Sequence, residues 1–331
     1  MSADLAIGVD VGGTKVLAGV VDTEGTVLAL ARRPTPATGA ADVEAAVAAC
    51  VAELRAAYPS VVAVGLGAAG FVDASRSVLV FAPNLAWRQE PLREALTARV
   101  GLPVVVENDG NAAAWAEHRF GAGRGVADMC LITVGTGIGC GLVLGGALYR
   151  GGSGIAGEPG HLRLVPDGRR CGCGNRGCWE QYCSGRALAR EAQEIADTAP
   201  WTARELLARA GGHWQDITGA VVSAAAVAGD AIARECFDRV GRWLGQGLAD
   251  VAAVIDPSLF VVGGGVAEAG ALLLDPARAR FAESLTGRGW RRAAPVVPAA
   301  LGPEAGLVGA ADLARATGAP SPRLPLPAPS P

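Results

Sequence analysis

IGVDVGGTKVLAGVV at residues 7–21 and LITVGTGIGCGLVLG at residues 131–145 are two versions of one pattern: an apolar run, a tight turn of glycine and threonine, and a second apolar run. Both read as β-hairpins, one turning at Gly12-Gly13 and the other at Gly135-Thr136-Gly137. The simplest account is an internal duplication of a phosphate-handling hairpin. Glycines let backbone N–H groups close on phosphate oxygens, while Thr14, Thr136 and Lys15 add donors and charge. Asp10, at the end of its strand, offers the hard oxygen that Mg²⁺ takes. Either turn alone reads more readily as a plain hairpin. Two copies, with a third glycine turn at 263–265, favour phosphate.

Working outward, VLALARRP extends the first strand pair, residues 42–58 repeat apolar positions at helical spacing, and VVAVGLG returns to a strand. A second helix over 91–100 leads to PVVVEN, a strand ending beside Asp109. In open α/β sheets, the C-terminal ends of strands face the ligand crevice. A helix follows in GNAAAWAEHRF. After the second hairpin, helical patterns fill 185–196, 202–210, 219–227 and 230–254. IDPSLFVVGGGV supplies a last strand before a closing helix near 304–316. The proline-rich stretch 319–331 is expected to be disordered and lies outside the fold.

At 331 residues the chain exceeds one comfortable core, so two lobes with a ligand cleft between them are expected. Lys plus Arg (29) nearly balances Asp plus Glu (32), which recruits neither nucleic acid nor a membrane surface. The N-terminal residues lack a signal-peptide pattern and no apolar run reaches a membrane span, which places the protein in the cytoplasm. Of eight cysteines, three fall within eight positions and read as metal ligands rather than disulfides. Cys50, Cys130, Cys140, Cys183 and Cys236 read as small buried hydrophobes.

Three segments carry chemistry. In Glu107-Asn108-Asp109-Gly110-Asn111, a carboxylate between strand and helix is placed to take a hydroxyl proton, although an Asp there also serves as a helix cap. His161 with Cys171, Cys173 and Cys178 makes a closed Zn²⁺ site of three thiolates and an imidazole, structural because four protein ligands leave no position for water. Glu158 and Glu180 flank it, and carboxylates held rigid by a metal loop suit the hydroxyls of a sugar. Gly65-Leu-Gly67-Ala-Ala-Gly70 matches the dinucleotide fingerprint in spacing, but no helix opens at its third glycine, so it is read as a loop lining the substrate cleft. No Walker phosphate loop occurs, so ATP would bind on another scaffold.

Together these segments resemble the ROK family, named for its repressors, open reading frames and kinases, and within it the bacterial glucokinases. DVGGTK at 10–15 and TVGTGIGCG at 133–141 are similar to its phosphate motifs, and ENDGNAAAW at 107–115 to its catalytic segment. EPGH at 158–161 resembles its sugar segment and CGCGNRGCWEQYCSG at 171–185 its zinc signature. The resemblance implies an α/β, two-lobed actin-like ATPase fold related to ribonuclease H, with the active site in the inter-lobe cleft. The small lobe would hold 1–108 with 305–318, the large lobe 109–304. It implies Asp109 as the base that activates the 6-hydroxyl of glucose. Asn108, Glu158, His161 and Glu180 would hold ring hydroxyls, with Gly70 and Asn84 as helpers. Asp10, Gly12, Gly13, Thr14, Lys15, Gly135, Thr136, Gly137, Gly264 and Gly265 would surround ATP and Mg²⁺. His161, Cys171, Cys173 and Cys178 would bind zinc, and a homodimer or homotetramer is implied.

The chain departs from the family's pattern at Gly110, where Ala is common, at Ala69, where many members have Pro, and at Pro159, where a bulkier residue is usual. Pro159 fixes the backbone between Glu158 and Gly160 and bears on sugar preference. Kinases for mannose, fructose or an N-acetylated amino sugar, and a polyphosphate-using glucokinase, are the alternatives within the enzyme class. A sugar-sensing repressor is the rival outside it, disfavoured because the first phosphate motif already starts at Asp10 and no basic patch is present.

Overall fold

The computed structural model describes residues 4–37, 39–82 and 87–316. The chain divides into one unit running to Asn108 and resuming at Leu307, and a second unit from Asp109 to Gly306. The stretch 319–331 and Asn84 lie outside the described residues.

In the first unit the opening hairpin is β1 (Leu5–Val11) and β2 (Lys15–Val21), followed by β3 (Val27–Pro34) and α1 (Ala40–Ala57). Then come β4 (Val61–Ala68), β5 (Phe71–Val72), β6 (Leu79–Phe81), β7 (Arg88–Glu90), α2 (Leu92–Val100) and β8 (Val104–Asn108). The main sheet has the order β3-β2-β1-β4-β8, antiparallel within the hairpin strands and parallel from β1 through β4 to β8. β5, β6 and β7 form a small antiparallel sheet of their own.

The second unit contains α3 (Asp109–Phe120), β9 (Met129–Val134), β10 (Ile138–Leu144), β11 (Ala147–Tyr149), α4 (Gly185–Thr198), α5 (Arg204–Arg209), α6 (Gly219–Val227), α7 (Ala231–Ile255), β12 (Leu259–Gly263), α8 (Ala271–Ser284) and β13 (Val296–Pro298). Its sheet runs β11-β10-β9-β12-β13, antiparallel among the first three and parallel onward. The two sheets therefore repeat one topology, and the duplicated glycine hairpin read from the sequence forms the β1–β2 pair of one and the β9–β10 pair of the other. α8 and β13 were not anticipated. Pro276 within α8 disguises its helical pattern, because proline in a helix interior normally ends the helix.

α9 (Ala305–Ala316) closes the described chain and packs on the first unit's sheet. Two strand glycines explain how closely it sits. A Cβ at Gly8 would stand 1.7 Å from the Leu307 carbonyl oxygen, and one at Gly65 would stand 1.8 Å from that of Ala310. Helix backbone rests directly on strand backbone there, so Gly65 serves packing and not a dinucleotide. No described helix is long and apolar enough to cross a membrane.

In the second unit α3 lies equally close on β10, since a Cβ at Gly110 would stand 2.4 Å from the Cys140 carbonyl oxygen. The glycine at this departure from the family pattern thus has a packing reason. The far end of α3 is fixed by the fully buried Glu117 carboxylate, which accepts from the amides of Ala122 (2.8 Å), Ala300 (2.9 Å) and Leu301 (2.8 Å). Several charge-assisted bonds to one buried carboxylate make α3 a rigid mount for its first residue, Asp109.

Candidate functional site

Within the first unit the candidate residues lie in the β1–β2 turn and at the end of β8. Gly12 donates its amide to the Lys15 carbonyl (3.0 Å), and Thr35, past the end of β3, clips the turn from outside. The Thr35 hydroxyl donates to the Gly12 carbonyl (2.7 Å) and its amide donates to that of Thr14 (3.1 Å). Thr35 has no motif around it and was missed. Gly13 and Thr14 are exposed, while Asp10 and Lys15 are half-buried at the strand ends. At the end of β8, two strands along the sheet from β1, Asn108 Nδ2 donates to the Gly70 carbonyl (3.1 Å), so two of the sugar-site candidates meet.

In the second unit the other glycine turns come together. The Val266 amide donates to the Val134 carbonyl (3.0 Å) and the Gly185 amide to that of Gly135 (2.7 Å). Gly264 has a φ of 87° and its Cβ would stand 2.6 Å from the Val134 oxygen, so fold geometry requires glycine there. Gly135 and Gly265 are different. Neither has left-handed backbone, and a Cβ on either would meet nothing within 4 Å. Glycines that the fold does not need leave room for a group to approach the backbone.

Asp109 begins α3 half-buried, its Oδ1 accepting from the Gly110 amide (2.9 Å). Glu158 precedes the short 3₁₀ turn Pro159–His161, and Glu180 sits in another, Trp179–Gln181. The latter turn is anchored by the buried Trp179, whose Nε1 donates to the Trp243 carbonyl (2.7 Å) and whose ring fills the place of a side chain at Gly247. The carboxylates feel one another. Burial first, then the charges of Asp109 and Glu180, push Glu158 up from 4.5 to about 7.

The sign of the resulting pH dependence follows from that direction. Between pH 4.5 and about 7 folded Glu158 holds a proton that the unfolded chain releases, so its contribution to stability is present at the acid end and lost as pH rises through about 7. Wild type should lose roughly 2 kcal/mol relative to Glu158→Gln between pH 5.5 and 7.5, read from urea midpoints. Equal pH dependence in the two proteins would contradict it.

Nδ1 of His161 and the sulfurs of Cys171, Cys173 and Cys178 lie within 4.8 Å of one another. The Cys171 Sγ to His161 Nδ1 distance is 3.7 Å and that from Cys173 to Cys178 is 3.6 Å. Ligands about 2.0–2.3 Å from a tetrahedral zinc stand roughly 3.6–3.8 Å apart, so the donor set fits the metal. Although Gly, Asn and Arg surround them in sequence, Cys171 and Cys178 are buried, and of the three only Cys173 is exposed. The small loop folds over its own sulfurs. Glu180 touches this cluster with Oε1, 2.9 Å from Cys171 Sγ, and the glycine turn with Oε2, 2.7 Å from where a Gly137 Cβ would stand.

Residues 6–317 match the ROK family over nearly the whole chain. The chain belongs to the ROK family. A glucokinase from Streptomyces coelicolor is 53% identical to it over 94% of this chain and 98% of its own length. Among solved structures, a ROK family glucokinase from Streptomyces griseus in complex with glucose and AMPPNP matches with a TM-score of 0.87 at 53% identity, covering 94% of this chain and 99% of that one. An inorganic polyphosphate/ATP-glucomannokinase from an Arthrobacter strain matches with a TM-score of 0.63 at 30% identity, over 93% of this chain and 96% of that one. The fold of this ROK protein is the two-lobed actin-like ATPase fold.

Proposed function

We propose that the protein phosphorylates glucose at its 6-hydroxyl with ATP, Asp109 acting as general base. The observation that carries this reading is Glu158, a carboxylate on which the charges of both Asp109 and Glu180 act, beside the His161, Cys171, Cys173 and Cys178 cluster. Identity of 53% to a glucokinase over nearly the full length supports the same substrate pair.

In the reaction the Asp109 carboxylate takes the proton from the sugar hydroxyl as that oxygen bonds to the γ-phosphorus. The bond from that phosphorus to the bridging oxygen breaks and ADP leaves. Phosphoryl transfer asks mainly for positioning and for charge on the phosphates. The amides around Gly12, Gly135 and Gly265, the hydroxyls of Thr14 and Thr136, and Lys15 supply the latter. Asp10 would hold Mg²⁺, which supplies further positive charge when bound. Asn108, Glu158 and Glu180 would orient ring hydroxyls. His161, Cys171, Cys173 and Cys178 would hold structural zinc, and because Nδ1 faces the sulfurs, Nε2 of His161 is left to a sugar hydroxyl.

The test is a panel of glucose, mannose, fructose and N-acetylated amino sugars against ATP and polyphosphate. Glucose with ATP should exceed every other pair in kcat/KM by about tenfold or more, the scale on which pocket contacts discriminate sugars. The polyphosphate arm matters because a relative at 30% identity carries that donor in its name. A preference for another sugar or for polyphosphate would overturn the assignment.

A further inference from the structure

The turn that joins β5 to β6 grips the end of β8, and nothing above gives it a role. Asp73 makes that turn rigid. Its carboxylate accepts from the amides of Ser77 (2.8 Å), Val78 (2.8 Å) and Ser75 (3.3 Å), and from the Ser75 hydroxyl. Arg76 stands within it at φ 57°, a left-handed conformation that a non-glycine residue keeps only where its surroundings impose it.

From this position Arg76 reaches β8 twice. Its carbonyl accepts from the Val106 amide (3.3 Å) on the outer edge of the sheet, and its Nε donates to Glu107 Oε2 (2.9 Å). Glu107 is 1% exposed, and its other oxygen, Oε1, accepts from the Asn108 amide (2.9 Å). Asn108 in turn holds the Gly70 carbonyl. A line of directed bonds thus runs from Asp73 through Arg76 and Glu107 to Asn108, and Asp109 is one peptide bond further.

We propose that Arg76 is a positioning residue for phosphoryl transfer, fixing the buried Glu107 carboxylate so that Asn108 and Asp109 present their side chains in one orientation. The proposal rests on the reading of Asp109 as base and Asn108 as sugar ligand. Stability alone does not account for the pair, since a buried ion pair generally adds little over apolar side chains of similar volume. Direction is what it adds. A carboxylate whose Oε2 is held by the Arg76 Nε keeps its Oε1 turned to the Asn108 amide, which an apolar pair could not hold at all.

Two variants test this, with glucose affinity measured by calorimetry beside kcat and the KM for ATP. Arg76→Lys keeps the charge without the planar fork and should lower kcat about fivefold. Arg76→Met combined with Glu107→Met leaves neither charge of the pair without the other, so its urea midpoint should fall only by the one lost hydrogen bond to the Asn108 amide. Its kcat should nevertheless fall about 30-fold and its glucose Kd rise about tenfold, the scale expected when reacting groups shift by a fraction of an ångström. The KM for ATP should stay within about twofold in both. Wild-type kcat and glucose Kd in the double variant would overturn the proposal, as would losses that only track the unfolded fraction. Should the double variant fail to fold, Arg76→Lys decides alone, and unchanged kcat and Kd would sink the idea. The glucose-affinity arm does not pass through Asp109 chemistry, so it still judges Arg76 even if Asp109 proves not to be the base.

Discussion

Asp109→Asn should lower kcat by about three orders of magnitude while changing glucose affinity by less than about threefold, because general-base assistance typically contributes 10²–10⁴. The substitution isolates the proton transfer. Asn has nearly the shape of Asp and keeps an oxygen to accept the Gly110 amide, so the start of α3 stays capped. α3 itself is held by the Glu117 bonds and by its close seat on β10, neither of which involves residue 109. What is lost is the site that receives the hydroxyl proton. A second readout follows from electrostatics. Removing the Asp109 charge takes away one cause of the raised Glu158 pKa, so the Glu158 titration should move down from about 7 toward its ordinary range. A coupled assay of glucose 6-phosphate formation measures the first effect, and carboxyl-labelled NMR of Glu158 the second. Near-normal turnover in Asp109→Asn would remove the base from the mechanism.

Much of this was legible in the residues, for reasons that differ from place to place. The hairpins at 7–21 and 131–145 were readable because a glycine turn between apolar runs has few other structural solutions; that the likeness extends to two whole sheets of one topology rests on strand pairings that only the fold shows. The metal cluster was readable because three thiols within eight positions are rare outside metal sites. α8 was hidden by Pro276, whose local rule was overridden by packing against α7. Thr35 and Arg76 were invisible for a deeper reason. Each acts on a segment distant in sequence, Thr35 on Gly12 and Arg76 on Glu107, and neither lies in a patterned stretch. Supporting contacts are set by the fold, so they show only once strands are paired.

Removing the zinc proposed for the His161, Cys171, Cys173 and Cys178 cluster should weaken glucose binding by about 100-fold, a loss in keeping with the cost of disturbing groups that hold metal ligands and their neighbours in place. The reasoning starts from Glu180, whose two oxygens face the Cys171 sulfur and the Gly137 turn. Its position depends on the loop from His161 to Cys178, whose sulfurs, two of them buried, are drawn onto one common point only by a cation; without it burial keeps Cys171 and Cys178 protonated and the four ligands are no longer tied together. Trp179 anchors the distal side of Glu180 through the Trp243 carbonyl, and that bond owes nothing to the metal. Glu180 should therefore lose its orientation without leaving the neighbourhood, and the rest of the second unit should keep its fold. Cys178→Ser gives the same test without a chelator, since the buried position cannot be filled by an outside ligand. Calorimetry with glucose, before and after dialysis against chelator, should show affinity lost and then recovered on adding zinc, while far-UV circular dichroism barely changes. Because Oε2 of Glu180 also stands against Gly137, nucleotide affinity should fall too, by about threefold, the order of one weakened contact. Full glucose affinity in metal-free protein would mean that Glu180 is placed by Trp179 alone, and the link from zinc to sugar would be gone.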